Sequence, residues 1–311
     1  MNTYEHVPVL LKEVLECLAP DSGQNIVDAT LGGGGYTKAI LEKIQPEGKV
    51  LAVDLDKDAV DNFQFSIFNF QNSVVLAQGN FAKIDHIVKN HNFPAPDGIV
   101  ADLGLSSYEL EHRGISFQTD QPLDMRFDQS QQTDAKFILN NYDENRLRKI
   151  FEDYGEEKFS RNIARKILDN RQRGIEIKHT TDLYQIIVDA LPKPVKHKAD
   201  DSARKIFQAL RIEVNHELQN LREFLPKAFD LLKPGGRLAV VSFHSLEDRM
   251  VKQFFVGLSK GCVCPPDFPQ CLCGKNPKGK ILTKKAVTAS PEELVKNSKS
   301  KPAKLRAIVK L

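Results

Sequence analysis

The feature that most constrains this chain is an alternation. Between residues 24 and 102, short runs rich in apolar and β-branched residues take turns with longer stretches at helical spacing. QNIVDAT is followed by YTKAILEKI, KVLAVDLD by a polar helical stretch, SVVLAQGNF by a helix opening near Phe81, and DGIVADLG closes the series. Strands that alternate with helices build βαβ units and a parallel sheet, because a parallel neighbour is reached only by a crossover. The pattern changes near Ser106: from about Glu109 to Glu217 the chain reads as helices and loops, with no buried strand. The strand signal resumes in LKPGGRLAVVSFHS, where Pro-Gly-Gly ends a helix ahead of an apolar run. The expected fold is an α/β sheet domain over residues 1–108 and 217–311, interrupted by a mostly helical second domain over 109–216.

Directly behind the first apolar run stands VDATLGGGGYT, in which the strand ends at Asp28 and the turn is Gly32 to Gly35. In an open parallel sheet, ligands bind at the carboxyl ends of the strands, and glycines let a ligand touch main-chain atoms. Asp54 ends the next strand 20 positions past Gly34, where a carboxylate can accept hydrogen bonds from both hydroxyls of a ribose. A nucleoside-containing cofactor fits. The dinucleotide fingerprint Gly-x-Gly-x-x-Gly is incomplete, since Gly32-x-Gly34 is followed by Thr37 and Gly33-x-Gly35 by Lys38, which counts against a nicotinamide-dependent dehydrogenase. The spacing Asp28, Thr30, Gly32, Gly34 instead resembles the first motif of S-adenosylmethionine-dependent methyltransferases. Farther along the same edge, Asn80 could meet an adenine amino group and Phe81 cover its face, although Phe81 is equally suited to a core. Asp102 ends the fourth strand in VADLGLSS.

The remaining signals bound the setting. With 311 residues, 41% hydrophobic and 27% charged, the chain has material for a sizeable core. No run of eighteen apolar residues occurs, and the start, MNTYEHVPVLLKEVLECL, lacks a basic flank before an apolar block, so a cytoplasmic protein without membrane spans is expected. The net charge is only +3, yet residues 275–311 hold eleven Lys or Arg against Glu292 and Glu293, which directs attention there for an anionic ligand. Cys262, Cys264, Cys271 and Cys273 cluster, with Cys17 apart. Four thiolates could hold a structural zinc, while reduced thiols in a packed loop are the ordinary state in the cytosol.

The longer strings narrow the field. HVPVLLKEVLECL, VDATLGGGGYT, DLGLSSYELEHRGISF, PLDMRFD, DYGEEKFSRNIARKI, IFQALRIEVNHEL, LKPGGRLAVVSFHSLEDRMVKQFF and KPAKLRA together resemble the bacterial RsmH (MraW) family, the ribosomal RNA small-subunit methyltransferase H enzymes. The resemblance covers essentially the whole chain. It implies a Rossmann-like S-adenosylmethionine-dependent methyltransferase sheet with an inserted helical substrate-recognition domain. It further implies N4-methylation of a decoding-centre cytidine in 16S rRNA of the small ribosomal subunit, and it is compatible with a homodimer. Carried over by position, it puts cofactor contacts at Gly34, Gly35, Tyr36, Asp54, Phe81, Asp102 and Glu109. Tyr36 stands where the family generally has His, and Glu109 where it generally has Gln. A non-catalytic RNA-binding ribosome-assembly factor that retains the cofactor-binding fold is the alternative.

Methyl transfer from a sulfonium is an in-line displacement, so positioning should dominate catalysis. Asp102 is the best placed acceptor for the N–H groups of a cytosine amino nitrogen. Ser106, Ser107 and His244 could orient the base, or serve as helix caps and turn residues. Carbon-5 methylation would require a cysteine nucleophile, and no cysteine stands at a strand end. The target base has to be unstacked to enter such a pocket. Lys158, Arg161, Arg165, Arg171, Arg173, Lys193, Lys196 and Lys198 suit phosphate contact or a solvated helix face, and the basic tail is the stronger candidate.

Overall fold

Successive side chains of a strand point to opposite faces, so strands that are apolar at every position need cover on both sides. That is the condition of the central strands of the computed structural model, which describes residues 8–66, 70, 72–105, 113–261 and 274–311. β1 (Asn25–Asp28), β2 (Lys49–Asp54), β3 (Val74–Gln78), β4 (Gly98–Asp102) and β5 (Arg237–Ser242) run parallel. Val27, Leu51, Val53, Ile99, Ala101, Leu238 and Val240 form one core with Phe224, Leu225, Val251 and Phe255. Their neighbours Ile26, Val50, Ala52, Val100, Ala239 and Val241 form another with Val14, Leu18, Tyr36, Ile40 and Leu41. The sheet is therefore sandwiched between two helical layers.

The strand order is β3-β2-β1-β4-β5-β7-β6. The winding reverses between β1 and β4, which opens a crevice at their carboxyl ends, the usual ligand position in such sheets. The basic chain after Phe255 contributes two strands: β6 (Gly279–Ile281) and β7 (Lys304–Lys310). β7 is antiparallel to both β5 and β6. Its period-2 pattern buries Leu305 and Ala307 while Lys304 and Arg306 stay half-buried, and the basic composition of the tail masked it.

Two compact units divide the chain, Met1–Gly104 with Gln219–Leu311, and Leu105–Leu218. The second unit is mostly helical, with helices Ala135–Asn141, Glu144–Asp153, Ser160–Gln172, Thr180–Ala190 and Ala199–Asn215. Asp134 and Asp143 cap the first two by accepting from the N–H of Phe137 (2.6 Å) and of Arg146 (2.9 Å). Leu139, Leu147, Phe151, Ile163, Ile167, Ile187, Ile206 and Leu210 fill its own core. Among the described residues no helix is long and apolar enough to cross a membrane.

Candidate functional site

The glycine turn is built from the end of β1 outward. Asp28 is fully buried and accepts from the Thr30 N–H (3.2 Å) and the Thr37 hydroxyl (2.7 Å), which folds the turn back onto the helix Gly35–Ile44. Gly32 (φ +50°) and Gly34 (φ +75°) occupy the left-handed region that favours glycine. The Gly32 N–H donates to Asp54 Oδ2 at 2.7 Å, tying the turn to the end of β2, and the Asp56 N–H donates to the other oxygen at 2.9 Å. A side chain at Gly32 would meet open space. Gly34 and Gly35 answer to a different demand. A Cβ at Gly34 would stand 1.9 Å from the Phe63 ring, and one at Gly35 2.1 Å from Pro8 Cγ. Both glycines, expected at a cofactor, are thus required by the protein's own packing, and Gly32 alone of the three joins a positive φ to open space.

Asp102 ends β4 beside this turn. Its N–H donates to Thr30 Oγ1 (2.7 Å), and its carboxylate accepts from the Gly104 N–H (3.3 Å). Burial pushes the carboxyl groups of Asp28 and Asp102 up to about 7, against the pull of their hydrogen bonds. Their mutual repulsion on neighbouring strands adds to Asp102, as does the charge of Glu247. Asp54 is also pushed up by burial, opposed by the Gly32 and Asp56 N–H groups. No cation figures among the main influences on any of the three. Asp28 is sealed from solvent, whereas Asp54 and Asp102 are only half-buried and can touch a ligand. Three carboxyl groups on adjacent strand ends, none with a cationic partner among the described residues, make a favourable environment for positive charge.

The other expected residues take up structural contacts. Tyr36 is 4% exposed, and its hydroxyl donates to the Val9 carbonyl and lies within hydrogen-bonding influence of Asp102. Phe81 packs edge-on against Phe224 with ring centres 5.1 Å apart, and Asn80 accepts from the Ala82 N–H (2.8 Å) to start the turn Phe81–Lys83. His244 caps the helix Ser245–Ser259: Nδ1 accepts from the Glu247 N–H (3.4 Å), and Glu247 accepts from the N–H of Phe243 (2.8 Å) and of His244 (3.3 Å). His244 Nε2 lies 3.1 Å from Glu247 Oε1, off the hydrogen-bond direction. Ser106, Ser107, Glu109 and the cluster Cys262, Cys264, Cys271 and Cys273 lie outside the described residues. Sequence reasoning gave no role to Thr37, Phe63, Pro8 or Glu247. Of these, Glu247 had a readable signal, standing three residues after a capping position.

Of the basic residues, Lys158, Arg161, Arg165, Arg173, Lys193, Lys196 and Lys198 are exposed. Arg171 is not a surface handhold. Its guanidinium donates to the carbonyls of Tyr142 (2.6 Å), Ile138 (3.4 Å) and Leu139, closing the end of the helix Ala135–Asn141. In the tail, Arg306 donates to both oxygens of Asp248 (2.6 and 3.2 Å) with Lys304 3.6 Å away, and Lys310 donates to the carbonyls of Asp230 and Leu232. The tail's charge is therefore partly neutralised internally, contrary to the expectation from its local sequence.

A doubly wound sheet with uncompensated acids at its switch point and an incomplete dinucleotide fingerprint defines the class: a Rossmann-like methyltransferase. Residues 3–311 match the MraW methylase family, and the chain belongs to that family. Ribosomal RNA small subunit methyltransferase H of Heliobacterium mobile is 43% identical over 311 residues, covering 99% of this chain and 99% of that protein. The enzyme of the same name from Syntrophotalea carbinolica is 43% identical over 313 residues, covering 100% and 99%. Among solved structures, an rRNA methylase from Streptococcus thermophilus is 14% identical with a TM-score of 0.43, covering 97% of this chain and 93% of that one. The family read from the motifs is borne out.

Proposed function

We propose that this protein methylates N4 of a decoding-centre cytidine in 16S rRNA, with S-adenosylmethionine as the donor. The observation that carries the reading is Asp102, a half-buried carboxylate at the end of β4 that has no cationic partner among the described residues. The residues present fit the donor. Asp54 offers a carboxylate to a ribose, Gly32 leaves open space beside it, and the net negative surroundings suit an ammonium and a sulfonium. Relatives named for methylation of small-subunit ribosomal RNA support the substrate.

The bound donor supplies an electrophilic methyl carbon on a positively charged sulfur. Everything else falls to this chain's residues. Asp102 accepts an N–H of the cytosine amino group, which withdraws the nitrogen lone pair from ring conjugation and aims it. Held up to about 7, its carboxylate is ionised above neutral pH and basic enough to take the proton that N4 gives up. The Thr30 hydroxyl accepts from the Asp102 N–H and the Asp28 carboxylate accepts from the Thr30 N–H, so the sealed acid positions the half-buried one. Calorimetry with S-adenosylmethionine, followed by labelled methyl transfer to small subunits lacking the modification, tests the reading. Donor binding and label at cytidine N4 are expected. Donor binding with no label on any RNA would overturn catalysis in favour of an assembly factor.

A further inference from the structure

The outer edge of the sheet carries a second charge anomaly, opposite in sign to the first. β6 is the terminal strand, paired only with β7. From Gly274 to Pro291 the chain holds Lys275, Lys278, Lys280, Lys284 and Lys285 and no acid. All five lysines are exposed, and none forms an ion pair among the described residues. Asp248 is engaged by Arg306 and Lys304, and Asp230, exposed beside Lys275 and Lys278, forms no ion pair with either among the described residues. Two depressions flank the strand. One, of about 600 Å³, is lined by Lys275, Lys278 and Lys310 with Asp230 as its acid; the other, of about 210 Å³, sets Lys252, Lys284 and Arg306 around an apolar floor of Phe255, Val256 and Ile281.

Lysines on an edge strand also discourage sheet-to-sheet aggregation, but that function does not account for this set. The opposite edge, β3, reads VVLAQ and carries no lysine, and only Lys280 of the five lies on β6 itself. Five lysines with Asp230 as the acid beside two of them leave an excess of positive charge, whose natural complement is an external polyanion. We infer that the β6 edge is a phosphate-binding track for single-stranded RNA, an assignment that rests on the reading of RNA as substrate. Lys275, Lys278, Lys280, Lys284 and Lys285 neutralise successive backbone phosphates, which holds the strand without reading its sequence.

The test compares the full-length wild type with the five-fold variant K275Q/K278Q/K280Q/K284Q/K285Q. Affinity for an unstructured, fluorescently labelled oligoribonucleotide is measured across a salt series, with calorimetric S-adenosylmethionine affinity as the control for folding. At about 0.7 per single-strand phosphate contact, the slope of log K against log salt should shrink by about 3.5 in the variant. A fourfold rise in salt then weakens the wild type about 100-fold more than the variant. A loss of slope smaller than about 2 with donor affinity intact overturns the track. So does wild-type binding to phosphatidylglycerol vesicles but not to the oligoribonucleotide, which would assign the edge to a lipid surface. Failure of methyl transfer by a wild type that still binds RNA steeply would remove the catalytic reading and leave the track standing.

Discussion

Two half-buried aspartates, one in each unit, sit in opposite electrostatic states. In the helical unit, burial pulls Asp124 up, but Arg126 two residues away outweighs it and holds the carboxyl below its usual range. Arg126 Nε reaches one oxygen at 2.6 Å and Nη2 the other at 2.9 Å, and Nη1 goes on to the Gln131 carbonyl at 2.6 Å. On the sheet, burial pushes Asp102 up to about 7, with the Gly104 N–H and the Tyr36 hydroxyl against it. Asp124 is neutralised by a side chain two positions away, whereas Asp102 meets no cation among the described residues. A fold that tolerates an uncompensated carboxylate gives up stability at that point, and such a group is a candidate for chemistry with something from outside. The difference between the two residues thus separates a group that holds the chain together from one that meets a ligand.

The largest effect should come from exchanging those roles by mutation. Asp102→Asn is expected to lower kcat for methyl transfer by about 100-fold to 10,000-fold, the range for losing a positioned base. Its melting temperature at pH 8 should equal or exceed that of the wild type, because an uncompensated charge is removed. A clear fall in melting temperature with kcat preserved would reverse the assignment. Asp124→Ala should do the opposite, lowering stability to urea by about 2 kcal/mol through loss of charge-assisted hydrogen bonds, with S-adenosylmethionine affinity unchanged. Equal stability of that variant and the wild type would make the Asp124–Arg126 pair decorative.

The next effect is in pH and follows from the sign of the shift. Asp28 and Asp102 have folded values near 7, above the usual carboxylate value of 3.8, so between these limits the folded protein holds protons that the unfolded chain has released. Their contribution therefore makes the free protein less stable as pH rises through that window and flattens above 7. A cationic donor favours the ionised form of Asp102, so its binding should weaken by about tenfold per pH unit below 7 when one proton is linked. Calorimetry in buffers of different ionisation enthalpy counts that proton. Binding that is flat from pH 5 to 8, with no proton released, would mean the donor does not sense these carboxylates.

How much of this was legible beforehand depends on the range of the interactions. The strands and the acids that end three of them could be read because β-branched runs, an acid and glycines are local signals, and Asp28, Asp54 and Asp102 do stand on adjacent strand ends. The crowding that forces Gly34 and Gly35 could not be read, because Phe63 and Pro8 reach them from other segments. Arg171 looked like a phosphate ligand for the same reason: the carbonyls it holds belong to a helix about thirty residues earlier. The balance of the tail was hidden too, since Asp248 and Arg306 are separated by 58 positions. Charge composition read along a chain overstates what is free on its surface.

Phe81 offers the smallest and most delicate test of the boundary between structural and ligand-facing groups. Its ring meets Phe224 at right angles, an arrangement worth about 1 kcal/mol beyond the area it buries, yet it remains half-buried three residues past the end of β3, the strand beside the one that Asp54 ends. Leucine at this position keeps an apolar group of similar size but loses the ring edge. Phe81→Leu should cost about 1 kcal/mol of stability to urea, and if the ring serves the core alone, donor affinity should change by less than about threefold. A donor affinity lowered tenfold or more, with stability barely altered, would show that the aromatic face covers the adenine. In that case the open character of this edge extends from Asp54 and Asp102 to an apolar surface, and the contrast with the paired Asp124 becomes sharper.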